Sequence, residues 1–263
     1  MGTISNGLFL MCNQKSVITK KTIIDGLSHN LFINNYQPIY NVEDNSLNGV
    51  EVLLRFKSPY LGDISPEHFI ASAERENLIS ELFFFSANQA IKDLNYNHRL
   101  KKISINISPS TLNVPYLYRW LRDKCKDNCI PNKNVTLEIT ENVEYIETKT
   151  SLENIEKLKL LGFGLSIDDF GTGYSSLSRL RAIPFTELKI DKMFIENITT
   201  NYSDRKIIEH LVDLTQSMGL QTVAEGIENL ETYRIVKDLG VNLCQGYFFH
   251  KPMTIDDILE VSI

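Results

Sequence analysis

Eight short β-rich runs, separated by longer amphipathic stretches, constrain this chain more than any other feature. They are INNYQPIY (33–40), GVEVLLRF (49–56), KKISINIS (101–108), VTLEIT (135–140), GFGLSID (162–168), TELKID (186–191), LQTVAE (220–225) and NLCQGYFF (242–249). Strand alternating with helix is the pattern of a β/α fold with a mainly parallel sheet. In SLENIEKLKLLG, Leu152, Ile155, Leu158 and Leu161 are expected on one apolar stripe, with Gly162 as the stop. DRKIIEHLVDLTQSMG repeats the design and ends at Gly219, while Leu78 to Leu94 and Leu230 to Leu239 read as further helices. Eight strands with helices between them predict an α/β fold of the (β/α)8 TIM-like barrel type, and 263 residues suit one such barrel. Residues 1–30 hold one weak helical stretch, Val17 to Leu27, too little for a separate domain. The expected organisation is a short N-terminal extension over 1–30 and the barrel over 31–263.

In such a barrel the active site lies where the C-terminal ends of the strands converge. Side chains alternate between the two faces of a strand, so Ile103, Ile105 and Ile107 oppose Ser104, Asn106 and Ser108. Likewise Leu137 and Ile139 oppose Thr136, Glu138 and Thr140; Leu165 and Ile167 oppose Ser166 and Asp168; Leu188 and Ile190 oppose Lys189. Glu51 and Arg55, Glu225 and Gln245 extend the series on the second, seventh and eighth runs. An apolar face toward the helices and a polar face toward the axis accounts for the pattern. Any one of these residues alone reads as a solvated or capping group, and Asp168-Asp169 before Phe-Gly-Thr-Gly alone reads as a turn. Recurrence at corresponding strand ends is what singles them out.

Composition narrows the chemistry. A net charge of −6 and no basic block argue against bulk-charge affinity for a nucleic-acid polymer or an anionic membrane. Four irregularly spaced cysteines make no disulfide framework, and Cys125 and Cys129 lack a second ligand pair for zinc. The apolar run Leu8 to Met11 is far shorter than a membrane helix of ~20 residues. A cytoplasmic protein is expected. Glu51, Glu138, Asp168, Asp169 and Glu225 would bring five negative charges to one rim, of which Lys189 offsets one. The remaining −4 is matched by two divalent cations, and oxygen ligands without His or Cys select Mg²⁺ or Mn²⁺. Two metals ~3.5–4 Å apart can activate water and clamp phosphoryl oxygens, which points to phosphoester hydrolysis.

With these residues in view, the chain resembles an EAL domain, the family of phosphodiesterases acting on the bacterial second messenger cyclic di-GMP (c-di-GMP). The strings that carry the resemblance are YQPIY, EVLLR in place of the usual EALLR, SINIS, LEITE, DDFGTGYSSLSRL, LKID, VAEGIE and QGYFFHKP, from about Tyr36 to Met253. The resemblance implies a barrel whose first strand runs against the others. It implies metal ligation by Glu51, Asn106, Glu138 and Asp168 for one ion, with Asp168, Asp169 and Glu225 near the second. Lys189 would orient or polarise the attacking water, Glu225 is either a metal ligand or a general base, and Arg55 would hold a substrate phosphate through its fork. Gln37 and Gln245 would lie near the substrate or water, and Glu228 would hold a mobile loop over Phe170 to Ser176. Also implied are hydrolysis to linear pGpG, a homodimer, and a place in bacterial signalling of the kind that sets biofilm formation and motility.

Val52 stands where the family has Ala. Alternation turns it toward the helices, so its extra volume costs ~1–3 kcal/mol at a tight site without removing a ligand. No cyclase signature of the GGDEF type occurs in the chain. The rival readings are a catalytically weak c-di-GMP receptor or interaction module, and an enolase-like barrel in which acids hold Mg²⁺ while a lysine abstracts a proton.

Overall fold

The structure, a computed structural model, describes residues 18–96, 100–140, 148–171 and 176–260. Among the described residues nine strands form: β1 Phe32–Asn41, β2 Leu47–Ser58, β3 Gly62–Ile64, β4 Ile103–Asn106, β5 Val135–Thr140, β6 Gly164–Phe170, β7 Glu187–Ile190, β8 Gln221–Ala224 and β9 Leu243–Cys244. The helices are α1 Lys20–Ser28, α2 Pro66–Arg75, α3 Ile79–Tyr96, α4 Pro109–Leu112, α5 Leu117–Asp127, α6 Lys149–Leu160, α7 Ser176–Ala182, α8 Lys192–Glu196, α9 Tyr202–Met218, α10 Leu230–Asp238 and α11 Ile255–Glu260. From β2 through β4 to β9 every barrel pairing is parallel. β1 closes the ring by running antiparallel to both β2 and β9. The result is the expected eight-stranded barrel with its first strand reversed. β3, absent from the eight runs, is a hairpin extension that pairs, among the described residues, with β2 alone.

Outward-facing Ile105, Leu137, Ile139, Leu165, Ile167, Leu188 and Ile190 are buried in one core with residues of the surrounding helices, as the alternation predicts. Val52 joins that core at 3% exposure, on the helical side of β2. Polar pegs align β1 on α3: Asn34 Nδ2 donates to the Ser86 carbonyl at 2.9 Å, Ser86 Oγ donates to Asn34 Oδ1 at 2.8 Å, and the Tyr36 hydroxyl donates to Asp93. A second core gathers Ile18, Ile23, Phe32, Phe56, Phe69 and Leu82, so residues of the expected N-terminal extension pack directly on β1 and β2.

Two expectations need correction. The apolar stripe of α6 is rotated: Leu152 is 46% exposed, and the buried face is Ser151, Asn154, Ile155 and Leu158. Residues spaced strictly by three drift around a 3.6-residue helix, and Asn154 earns the buried place by donating to the carbonyls of Leu112 and Val114 at 2.8 and 2.9 Å. The interior is also not polar all round. Ile39, Val223 and Leu243 form an apolar plug on the axis, because β1, β8 and β9 carry apolar residues at the inward positions below the rim. Among the described residues no helix is long and apolar enough to cross a membrane.

Candidate active site

The rim residues lie at or near the C-terminal ends of the parallel strands, except Glu51, which stands mid-strand on the longer β2. Glu51 sits on β2, Asn106 ends β4, Glu138 lies on β5, Asp168 on β6 and Lys189 on β7. Glu225 and Gln245 immediately follow β8 and β9. Cross-strand pairing aligns Gln37 with Glu51, and Asn106 with Glu138.

The β6–β7 register slips between Ile167 and Phe170, so Asp168 and Asp169 together oppose Lys189. One extra residue of this kind breaks strict alternation and re-aims side chains. Asp169 takes a left-handed backbone, φ 55°, a strained state for a residue other than glycine and one that clusters at functional sites. Ligand oxygens of Asp168, Asp169 and Glu225 come within 4.8 Å of one another.

Lys189 is the hub. Its Nζ, on a side chain 1% exposed, lies 3.3 Å from Glu51, 3.1 Å from Glu138, 3.1 Å from Asp168 and 2.7 Å from Glu225. An ammonium has three N–H groups, so it cannot hydrogen-bond fully to four carboxylates. Gln245 Nε2 donates to Glu51 at 2.7 Å and to Glu225 at 3.1 Å, and Asn106 Nδ2 donates to Glu51 at 3.2 Å.

Electrostatics follows from this crowding. Burial pushes Glu138 well above the usual carboxylate range, and neighbouring acids add to the rise. Burial and the Asp168 charge lift Glu225 to about 8, against the pull of Lys189. Asp169 rises to about 7 through burial, the Asp168 charge and contact with Asp191. Glu51 goes the other way: Lys189 and the Gln245 and Asn106 amides outweigh its burial and hold it below the ordinary value. Protons held on buried acids mark where a cation would bind in their stead. With Glu138 Oε1 left without a hydrogen-bond partner among the described residues, the donor set fits hard divalent cations.

Cavities flank the rim on two sides. One, of about 340 Å³, is lined by Arg55, Asn106, Ser108, Asp168 and Asp169, among others. The other, of about 230 Å³, is lined by Gln37, Lys192, Glu225, Glu228, Gln245 and Tyr247. Arg55 is half-buried and donates from Nη1 to the Leu54 carbonyl at 3.0 Å. Gln37 Nε2 donates to the His250 carbonyl at 3.4 Å. Glu228 is exposed beside the second cavity, and the loop it is expected to hold includes 172–175, outside the described residues. Sequence reasoning passed over Asp191, Lys192 and Tyr247. All three lay inside or beside quoted strings, LKID and QGYFF, and only the folded loops bring them to the site.

Fold and site together define an acid-rimmed β/α barrel with its first strand reversed. The chain belongs to the EAL domain family, whose model matches residues 21–252. It is 33% identical over 241 residues to the cyclic di-GMP phosphodiesterase RocR of Pseudomonas aeruginosa, covering 90% of this chain and 62% of RocR. It spans only 26–34% of seven further curated relatives. Among solved structures, the MucR phosphodiesterase of Pseudomonas aeruginosa in complex with c-di-GMP superposes with a TM-score of 0.83 at 30% identity, over 90% of this chain and 98% of that one. An EAL domain protein from Listeria monocytogenes gives 0.82 at 31% identity, over 92% and 97%.

Proposed function

We propose that this chain hydrolyses cyclic di-GMP to linear pGpG. The observation that carries the reading is the convergence of Glu51, Asn106, Glu138, Asp168, Asp169 and Glu225 around one buried lysine, in a chain of the EAL family. Glu51, Asn106, Glu138 and Asp168 would hold one divalent cation, Mg²⁺ or Mn²⁺, and Asp168, Asp169 and Glu225 a second. When bound, such cations supply Lewis-acid polarisation of a phosphoryl oxygen and a lowered pKa for water.

The chain's own side chains do the rest. Lys189 orients the attacking water and neutralises charge that builds on the phosphoryl oxygens. Arg55, at the mouth of the larger cavity, clamps a substrate phosphate through its fork. Gln245 holds Glu51 and Glu225 in fixed relation, and Gln37 borders the cavity on the other side. Water attacks phosphorus, the bond from phosphorus to the 3′ oxygen breaks, and that oxygen takes up a proton. The product keeps a 5′ phosphate. Two cavities on opposite sides of the rim suit a ligand with two bases joined through phosphates.

Purified protein with Mg²⁺ or Mn²⁺ is expected to convert c-di-GMP to pGpG, followed by chromatography of the nucleotides, and a chelator is expected to stop it. Tight c-di-GMP binding without turnover would replace this reading with a receptor.

A further inference from the structure

The layer beneath the rim holds polar atoms of Thr136, Ser166 and Glu187 that the proposed chemistry leaves unused, beside the cation ligand Glu138. Parallel register aligns Glu138 with Ser166 and Ser166 with Glu187, so three axis-facing side chains stand in a row on β5, β6 and β7. Thr136 lies one inward position below Glu138, across from Gly164. All four polar residues are at most 1% exposed. Yet Thr136 Oγ1, Glu138 Oε1, Ser166 Oγ and Glu187 Oε1 have no hydrogen-bond partner among the described residues. The second oxygen of each glutamate is engaged: Lys189 Nζ lies 3.1 Å from Glu138 Oε2, and Lys102 Nζ lies 3.1 Å from Glu187 Oε2. Buried polar atoms are almost always matched, by protein or by ordered water; a cation at the rim would engage Glu138, and the other three unmatched atoms, on neighbouring strands behind it, call for an occupant of their own.

The layer is built of small side chains where they are needed. Gly49 and Gly164 occupy inward positions with no side chain, and a Cβ on Gly164 would sit 2.4 Å from Thr136 Oγ1. The bulky residues that usually fill a barrel are confined to the plug of Ile39, Val223 and Leu243. Charge decides the occupant. Glu51, Glu138, Asp168, Asp169, Glu187 and Glu225 against Lys102 and Lys189 leave −4, which two divalent cations at the rim already cancel. A third cation would overcharge the interior. Hydroxyls that both donate and accept, placed between carboxylate acceptors, suit neutral water.

We propose that Thr136, Glu138, Ser166 and Glu187 enclose an internal water site, and that Ser166 and Glu187 act through it as positioning residues that hold Glu138 for cation binding at the rim. Lys102, with 23% of its side chain exposed, pins Glu187 from the opposite mouth of the barrel. This inference rests on the metal-dependent reading of the rim given above. Partners that orient a metal ligand from behind typically change affinity or activity by about 10–100-fold when removed.

A high-resolution crystal structure of the full chain is expected to show ordered water bonded to both Ser166 Oγ and Glu187 Oε1. Density with no water there, or hydroxyls turned to main-chain carbonyls, overturns the proposal whatever happens to any variant. Calorimetric titration with Mn²⁺ is expected to show about 10-fold weaker binding for Ser166→Ala and for Glu187→Gln. With c-di-GMP, kcat is expected to fall by a similar factor while KM stays within about two-fold. Because both residues act through one site, the double variant is expected to lose little more than the worse single one, and fully additive losses would overturn the idea. Unchanged Mn²⁺ affinity in both variants overturns it too. A wild type that binds Mn²⁺ in this Glu187-dependent way but leaves c-di-GMP intact would uphold the internal site and sink the phosphodiesterase reading instead.

Discussion

Lys189 and its four carboxylates set what single substitutions can do. On the proposed reading Glu51→Ala or Asp168→Ala removes a cation ligand, so either is expected to reduce hydrolysis by about 100-fold. Neither should unfold the metal-free protein, because Lys189 keeps three of its four carboxylates in either variant, though Glu51→Ala, which also strips partners from Gln245 and Asn106, is expected to cost more stability than Asp168→Ala; a thermal scan beside the nucleotide assay checks both halves. The same crowding makes stability depend on pH. Asp169 and Glu225 are raised from ordinary values of 3.8 and 4.5 to about 7 and about 8, so the folded chain holds protons that the unfolded chain has lost. Stability of the metal-free protein therefore falls as pH rises from about 4 to about 8. Glu51, lowered, contributes in the opposite sense only below its ordinary value of 4.5. Calorimetry in chelator is expected to give a lower Tm at pH 8 than at pH 6, and an equal or higher Tm would contradict the assignment of those protons.

At the scale of elements, alternation along each strand was legible, because side-chain direction follows from backbone geometry alone. Helix faces were less so. Periodicity located α6, but its inward side was chosen by α4 and the turn after it, whose carbonyls Asn154 satisfies. Leu158→Ala is accordingly expected to cost about 2–5 kcal/mol and Leu152→Ala under about 0.5 kcal/mol, read from the midpoints of denaturant unfolding. The last β-rich run shows a similar limit. NLCQGYFF reads as eight residues of strand, whereas only Leu243–Cys244 pairs. Gly246 brings its backbone so near Ile227 that a Cβ would lie 2.1 Å from that carbonyl, and this close approach sets the loop that carries Gln245. The slip at Asp168 and Asp169 was likewise invisible, since the bulge exists only relative to β7.

For the whole molecule, folding assembles six acidic side chains and two lysines inside one barrel, at a cost that the proposed cations would relieve. A divalent cation that binds only the folded state stabilises it by RT ln(1 + [L]/Kd), about 2.7 kcal/mol at 100 times Kd. Mg²⁺ or Mn²⁺ is therefore expected to raise Tm at pH 8 by several degrees, with Glu51→Ala blunting the shift; a Tm indifferent to cation would remove the basis for the ligand set. The succession of strands and helices, and which strand residues share a face, could be read along the chain, since both follow from periods of 2 and 3.6 residues. Which acids share Lys189, how Asp169 is aimed, and that Glu187 meets Lys102 beneath the rim emerge with the closed barrel. Those depend on register between strands far apart in sequence and on where the ring closes, and no local period encodes either.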